Sequence, residues 1–256
     1  MADWNAEVYH RVSEPQFQWG LKVLESLKLS GDETVLDAGC GTGRLTALLA
    51  ERLPRGHVIA ADVSEAMIAK ARQTLAPYGQ KVSFRIVDLE LLTLEQVCDV
   101  AFSTATFHWV KDHDALFRGL RDALRPRGRL HAQCGGAGNL QRAIASARLV
   151  AAKGPWAEAL RGFEDTWHFA TVEDTRRRLQ AAGFEVQRVE LVDAPTPFAT
   201  PEAYKEFVGA VVLRHFVARL PEALRGPFLD AVTERALADA PKLTLDYVRL
   251  EIRATR

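Results

Sequence analysis

The chain has little cysteine: Cys40, Cys98 and Cys134 are its only three, and they lie far apart without metal-ligand spacing. This usage argues against disulfides and a metal site and is typical of a reducing cytoplasm. No apolar run reaches the roughly 20 residues that span a bilayer. The N-terminal stretch MADWNAEVYHRVSEPQ also lacks the apolar centre of a signal peptide. We therefore expect a cytoplasmic protein with no metal and no membrane contact.

Net charge is also absent, since 33 basic and 33 acidic residues balance to zero. Without a basic stripe, a nucleic acid is not an expected partner. Hydrophobic residues make up 48% of the 256 positions, so the composition allows a sizeable core. The length suits one α/β domain with additions.

Strand-like and helix-like segments alternate through the first half of the chain. Ser64 and Asp112 precede two of the helical stripes and have the residue types that cap helices. Alternation with short connections indicates a parallel sheet covered on both faces. The apolar, β-rich runs predict strands at 34–39, 57–62, 82–88, 98–105 and 128–135.

The second half is less regular. It predicts a sixth strand over 184–193 and a final, antiparallel strand over 243–255. We therefore predict a single α/β domain over 1–256, with a Rossmann-like parallel sheet and a core at 30–135. A helical N-terminal cap at 1–29 and helical insertions at 138–171 and 195–240 are expected to form a lid over the carboxyl ends of the strands, where such sheets bind ligands.

The stretch VLDAGCGTGRLTALLA, residues 35–50, places three glycines between a strand and a helix. Gly39, Gly41 and Gly43 allow a tight turn and close approach of a ligand, and the helix that follows presents free N–H groups. Asp62 closes the next strand, where an acid suits a ribose diol. A dinucleotide fingerprint would need a glycine at position 44, which is Arg44. A dehydrogenase is therefore a remote alternative.

The segment VLDAGCGTG, with an acid two residues before the first glycine, resembles motif I of the class I S-adenosylmethionine (SAM) methyltransferases. The resemblance covers roughly residues 30–135 and implies SAM as the cofactor. It also implies the cofactor contacts by position, from the aminocarboxylate through the ribose to the adenine and the methionine moiety: Asp37, Gly39, Cys40, Gly41, Gly43, Asp62, Val63, Met67, Asp88, Leu89 and Ser103.

Two further segments, DWNAEVY near the N-terminus and FHWV after the fourth strand, resemble one branch of that family. This branch contains trans-aconitate 2-methyltransferase and, more distantly, insect juvenile-hormone acid methyltransferase, which methylate small-molecule carboxylates. The resemblance implies a small-molecule acceptor and makes His108, Trp109, Gln16 and Tyr9 the catalytic candidates. Each also has a plain structural interpretation, as a core or surface side chain. His108 is open as a base, a substrate contact or a structural histidine.

The leading hypothesis is O-methylation of the carboxylate of a small organic acid. A carboxylate is already ionised at pH 7, whereas a phenol with a pKa of about 10 needs a base. A phenol, amine or carbon acceptor stays open, as does a SAM-binding protein without catalysis. The chain has neither the [ND]-P-P-[YFW] motif of amino methylation nor a Tyr-x-x-x-Lys pair of short-chain dehydrogenases. Monomer and homodimer remain open.

Overall fold

The computed structural model describes residues 6–164 and 167–256, so the predicted cap residues 1–5 and positions 165–166 lie outside the described residues. A seven-stranded sheet has the order β3-β2-β1-β4-β5-β9-β6, and β7 and β8 form a separate pair. The strands are β1 Thr34–Ala38, β2 His57–Asp62, β3 Val82–Ile86, β4 Cys98–Thr104, β5 Leu124–Gly135, β6 Glu185–Asp193, β7 Thr196–Pro197, β8 Thr244–Leu245 and β9 Val248–Thr255.

The sheet confirms the predicted α/β, Rossmann-like fold. Strands β1 to β5 pair in parallel, and β9 is inserted antiparallel between β5 and β6. The order reverses where β1 lies between β2 and β4, which places the switch point at the ends of β1 and β4. Loops and helices beyond these two ends are therefore expected to form the ligand site.

Most helices occupy the intervals that the hydrophobic stripes predict, but the described residues of the 138–171 insertion are helical only over Gln141–Ala151 and Trp156–Ala159. Ser64 and Asp112 cap their helices as expected, each through a side-chain oxygen that accepts a backbone N–H. The helices are α1 Ala6–Val12, α2 Glu14–Glu25, α3 Arg44–Arg52, α4 Glu65–Leu75, α5 His113–Ala123, α6 Gln141–Ala151, α7 Trp156–Ala159, α8 Val172–Ala181, α9 Pro201–Phe207, α10 Arg214–Arg219 and α11 Glu222–Ala238. None of them is both long and apolar enough to cross a membrane, within the part of the chain described.

The strand boundaries differ from the sequence prediction by one or two residues at several ends, and by more in two places. Helix α5 ends at Ala123 and β5 begins at Leu124, earlier than the predicted strand start at 128. Pro126 explains the early end, because a proline disfavours helical backbone at the residue before it. The predicted strand at 243–255 is two strands, β8 and β9.

The helical additions share a hydrophobic core of their own. Buried Phe207, Phe216 and Phe228 form its centre, and the N-terminal side chains Tyr9 and Trp19 pack against it. Between α9 and α10 the chain makes a π-helical turn over Val208–Val212, and α1 contacts both this turn and α4. The N-terminal helices and the later insertion therefore meet over the same edge of the sheet.

Candidate active site

The glycine loop is held at the end of β1 by the neighbouring strand. Gly39 and Cys40 donate their backbone N–H groups to the Ala61 carbonyl at 2.8 and 2.9 Å. Gly39 has φ +88°, and a Cβ there would lie 2.0 Å from the Thr106 hydroxyl, so only glycine fits. Gly41 has φ +53° with open space around it. Gly39 therefore allows the loop to pack against Thr106 beyond the end of β4. Gly41 has free space beside its Cα.

Asp62, at the end of β2, supports this loop. One carboxylate oxygen accepts the Gly41 N–H and the other the Ser64 N–H, both at 2.9 Å. The carboxylate thus has a fixed orientation at the end of β2, and an acid at this position fits a ribose diol.

A groove with a volume of about 530 Å³ runs from the loop past the ends of β2, β3 and β4. Val63 is 61% exposed beside it, although it is apolar, while Met67 and Leu89 are buried. This pairing of an apolar surface with a fixed acid fits a nucleoside. The sequence-predicted residues that line the groove are Gly39, Gly41, Asp62, Val63, Met67, Asp88 and Leu89.

Asp37 and Cys40 line a smaller pocket that adjoins the loop. Burial raises the pKa of Asp37 to about 7, and the hydrogen bond from the Thr46 hydroxyl at 2.6 Å opposes that rise. Burial also raises the pKa of the Cys40 thiol well above its ordinary value, so this thiol stays protonated and is a poor nucleophile. Asp37 is the titrating group of this pocket.

Gly43 and Ser103 have structural partners instead. Gly43 adopts φ +83° at the start of α3. Ser103 is 1% exposed and donates its hydroxyl hydrogen to the Ala38 carbonyl at 2.6 Å, which ties β4 to β1. The structure therefore places these two predicted cofactor contacts within the framework of the loop rather than along the groove.

A third space, the small pocket, adjoins the groove. It is lined by all four predicted catalytic candidates, Tyr9, Gln16, His108 and Trp109. Tyr9, Trp109 and the backbone-strained Ala105 (φ +55°) line both spaces. The smaller pocket has a volume of about 30 Å³, which is the space of about one water molecule. The junction of the two spaces is where a group could pass between two ligands.

His108 has a defined protonation state in this pocket. The Gly135 N–H donates to its Nδ1 at 3.2 Å, so Nδ1 acts as an acceptor and the proton lies on Nε2. Burial, with the nearby Arg249 charge, lowers the pKa of His108 well below its ordinary value. Accepting a second proton would set two N–H groups against each other. His108 is therefore a neutral hydrogen-bond donor and is poorly suited to act as a base.

Arg249 is the residue of the site that the sequence analysis missed. It is 2% exposed and lines the small pocket, where its Nη2 is buried with no hydrogen-bond partner among the described residues. Its Nε donates to Gln133 at 3.4 Å, and the guanidinium lies 4.6 Å from the Trp19 ring centre. Desolvation lowers the pKa of Arg249, but an arginine remains charged. The pocket therefore contains a buried cation with a free donor.

The strand pattern concealed Arg249. Arg249 alternates with Leu250 on β9 and lies on the same face as Glu251 and Arg253. This alternation of charged and apolar residues predicts a solvent-exposed face. The aromatic side chains around Arg249 cover this end of the face in the tertiary structure. An arginine two residues after Tyr247, at the start of the last strand, was the available signal.

Gln16 and Tyr247 complete the polar part of the pocket. The Gln16 amide donates to the Tyr247 hydroxyl at 3.4 Å, and its Oε1 is buried without a partner among the described residues. Burial raises the pKa of Tyr9 to about 12 and raises that of Tyr247 further, so both hydroxyls stay neutral. Arg249 and His108 therefore supply donors to one small space, and Gln16 is held there by its bond to Tyr247.

Comparisons with known proteins agree with this geometry. A family model described as "Methyltransferase domain" matches residues 35–128. Trans-aconitate 2-methyltransferase of Variovorax paradoxus (strain S110) is 31% identical over 251 residues, which cover 98% of this chain and 95% of that protein. The protein of the same name from Methylobacterium radiotolerans is 31% identical and covers 91% and 88%.

Among solved structures, phosphoethanolamine N-methyltransferase 2 of Haemonchus contortus in complex with S-adenosyl-L-methionine has the same fold. Its TM-score is 0.62 at 16% identity, over 98% of this chain and 56% of that one. The matches confirm the predicted family, the enzyme class and the cofactor. With its glycine loop and the acids that follow it, the chain belongs to the class I SAM-dependent methyltransferases, as a relative of the trans-aconitate 2-methyltransferases.

Proposed function

We propose that this methyltransferase transfers the methyl group to the carboxylate of a small organic acid. The observation that carries the proposal is Arg249, a buried cation whose Nη2 has no partner among the described residues and which lines the pocket beside the groove. A buried charge without a partner costs several kcal/mol. A carboxylate in this pocket would remove that cost, and a guanidinium matches carboxylate geometry.

The other polar groups of the pocket support the same acceptor. Neutral His108 can donate from Nε2, whereas the Gln16 amide already donates to the Tyr247 hydroxyl. Donors around an acceptor oxygen suit an anion. A phenol would need a base to reach its anion, and His108, with Nδ1 bonded to the Gly135 N–H, is not that base.

We assign the cofactor contacts to the groove and to the pocket beside the glycine loop that contains Asp37. Asp62 would hold the ribose, Val63 and Met67 would contact the adenine with Asp88 and Leu89, and Asp37 with the glycine loop would hold the aminocarboxylate. Bound SAM supplies an electrophilic methyl group on a sulfur leaving group, so a carboxylate acceptor needs no proton removed.

Tyr9 and Trp109 are proposed to align the reactants, since they line both the groove and the acceptor pocket. Displacement at carbon depends on orientation and on excluding water. Val211 and Val212 of the π-helical turn form part of the wall of the small pocket. We propose that α1 and the 195–240 insertion act as the lid and open to admit the acid. Such π-helical turns are frequent at functional sites.

The test is a methylation assay with small acids at saturating SAM, with mass-spectrometric detection of the methyl ester. Saturating SAM keeps the titration of Asp37 out of the result. A carboxylate acceptor predicts kcat/KM that is flat from about pH 6 upward. A rate that climbs through pH 7–9 and is lost in His108→Ala would instead indicate a hydroxyl acceptor.

The role of His108 is tested by a pair of variants. His108→Gln keeps an N–H donor near the Nε2 position, whereas His108→Leu removes it. We expect the glutamine variant to keep substantially more activity than the leucine variant. Equal loss in both, with the variants folded, would contradict the donor role and favour a base.

A further inference from the structure

The acceptor pocket has two chemically different sides. Tyr247 contacts both Gln16 and Arg249, and these three residues form the polar side. The other side is an apolar wall without a charged side chain. It is formed by Leu140, Trp167, Phe169, Val211 and Val212. His108 and Trp109 adjoin the rings of this wall.

The rings of the wall are arranged as flat faces. Trp167 and Phe169 are nearly parallel, at 8° with 6.0 Å between ring centres. The ring of His108 is tilted 28° from that of Phe169 at 5.9 Å, and Trp109 lies 6.2 Å from Trp167. Aromatic faces gain energy from offset stacking with flat conjugated groups. The wall thus favours a planar apolar body over a branched or hydrated one.

The charge of the pocket limits the number of carboxylates. Among the described residues that line it, Arg249 is the cation, and one carboxylate matches its charge. Arg214 is the next candidate, but its guanidinium lies over the Trp109 ring at 5.4 Å and lines the cofactor groove. A second carboxylate within the pocket would face aromatic rings, where an unpaired charge is strongly disfavoured.

We infer that the acceptor is a flat, apolar acid with one carboxylate, and that di- and tricarboxylates are poor substrates. This inference rests on the proposed carboxylate O-methylation and adds the substrate class. The inferred substrate differs from trans-aconitate, the acid in the name of the relatives. The basis is the pairing of a single buried cation with an aromatic wall.

The test uses three monoacids, each matched to a diacid that adds one carboxylate at the far end. The pairs are benzoate and terephthalate, trans-cinnamate and 4-carboxycinnamate, and 2-naphthoate and 2,6-naphthalenedicarboxylate; trans-aconitate is the seventh ligand. Calorimetry on the full chain saturated with S-adenosylhomocysteine gives each dissociation constant. We expect at least one monoacid to bind, and to bind at least about 100-fold more tightly than its diacid, since burying an unpaired carboxylate costs several kcal/mol.

Two tryptophan variants test the wall. Trp167→Leu is expected to weaken the monoacid by about 5- to 10-fold, the size of a lost aromatic contact. Trp156→Leu is the matched control: Trp156 is also half-buried in the 138–171 insertion, but its indole N–H donates to the Leu224 carbonyl away from the pocket. Equal weakening in both variants would contradict the aromatic wall as the recognition element.

The outcomes separate this inference from the proposed function. Tighter binding of the diacids or trans-aconitate, or no binding by any of the monoacids, overturns the substrate class. If a diacid or trans-aconitate is then methylated with dependence on Arg249, carboxylate methylation stands without the inference. If the monoacids bind but only phenols or amines are methylated, the proposed function itself fails.

Discussion

Replacing Arg249 by methionine should lower activity while leaving the fold as stable as before, or more stable. Most substitutions of a buried residue with several neighbours lower both the activity and the stability of a protein. The reason for the exception is that this cation is buried without an acidic partner among the described residues, and its Nη2 has no hydrogen bond there. Methionine keeps the apolar stem and fills most of the same volume.

The magnitude follows from the contacts of the guanidinium. The variant loses a contact with the Trp19 ring, worth about 1 kcal/mol, and a long hydrogen bond to Gln133 at 3.4 Å. It also removes a desolvation cost of several kcal/mol. The free energy of unfolding is expected to stay within about 1 kcal/mol of its original value or to rise. For a chain of this size, 1 kcal/mol corresponds to about 2–4 °C in Tm.

The activity of Arg249→Met is expected to fall by a larger free-energy equivalent than the change in its stability. A bound carboxylate that loses its buried partner is left uncompensated, at a cost of about 3 kcal/mol or more. This corresponds to a loss of about 100-fold or more in kcat/KM for the acid at saturating SAM. SAM affinity should not change, because Arg249 lines the acceptor pocket and not the cofactor groove.

The assay compares Arg249→Met with Arg253→Met in thermal unfolding and in steady-state kinetics. Arg253 is the matched control, because it lies on the same strand and face but adjoins α2 near Ser26, away from the acceptor pocket. It should keep its activity. A variant Arg249→Met with a sharply lower Tm and normal activity per folded molecule would refute the reasoning and make Arg249 a structural residue.

Three further predictions concern the loop and its surroundings. Gly39→Ala should lower Tm strongly, because its Cβ would lie 2.0 Å from the Thr106 hydroxyl. Gly41 has φ +53° and open space around it, so Gly41→Ala should lower the free energy of unfolding by only about 1 kcal/mol. The same Gly41→Ala variant should bind SAM more weakly in calorimetry. SAM affinity should rise as pH increases through about 7, where Asp37 ionises and can pair with the cofactor ammonium, and Asp37→Asn should remove this dependence. Burial lowers the pKa of His113 from 6.5 to about 4, so its contribution to stability is complete above about pH 6.5 and is lost as pH falls toward 4; His113→Gln should reduce that loss in urea unfolding.

The same measurements contain their controls. Asp37 has a folded pKa above its ordinary value of 3.8, so its contribution to the stability of the ligand-free protein is present below about pH 3.8 and lost as pH rises through about 7. Asp37→Asn should therefore raise Tm at pH 8 more than at pH 4. Equal Tm losses in the two glycine variants would contradict the contact argument, and an unchanged acid limb in His113→Gln would contradict the histidine assignment.

Much of the cofactor half could be predicted from the sequence, because its signals are local. The glycines of VLDAGCGTG and the caps Ser64 and Asp112 each act within their own strand-loop-helix unit, and Asp62 closes the strand of the next unit. The backbone hydrogen bonds of such a unit are set by neighbouring residues, so residue type and spacing carry the information. Ser103 shows the limit of positional assignment, since its hydroxyl is used to join β4 to β1.

The acceptor side depends on contacts between distant segments, and only the tertiary structure decided it. Sequence reasoning proposed Gln16 and His108, but the partners that define them, Tyr247 and Gly135, lie 231 and 27 residues away. Arg249 looked like a solvated strand residue until the aromatic side chains around it covered that face. The sequence determined a SAM loop through local geometry; long-range packing decided which polar groups were desolvated, and with them the charge, protonation state and shape of the pocket.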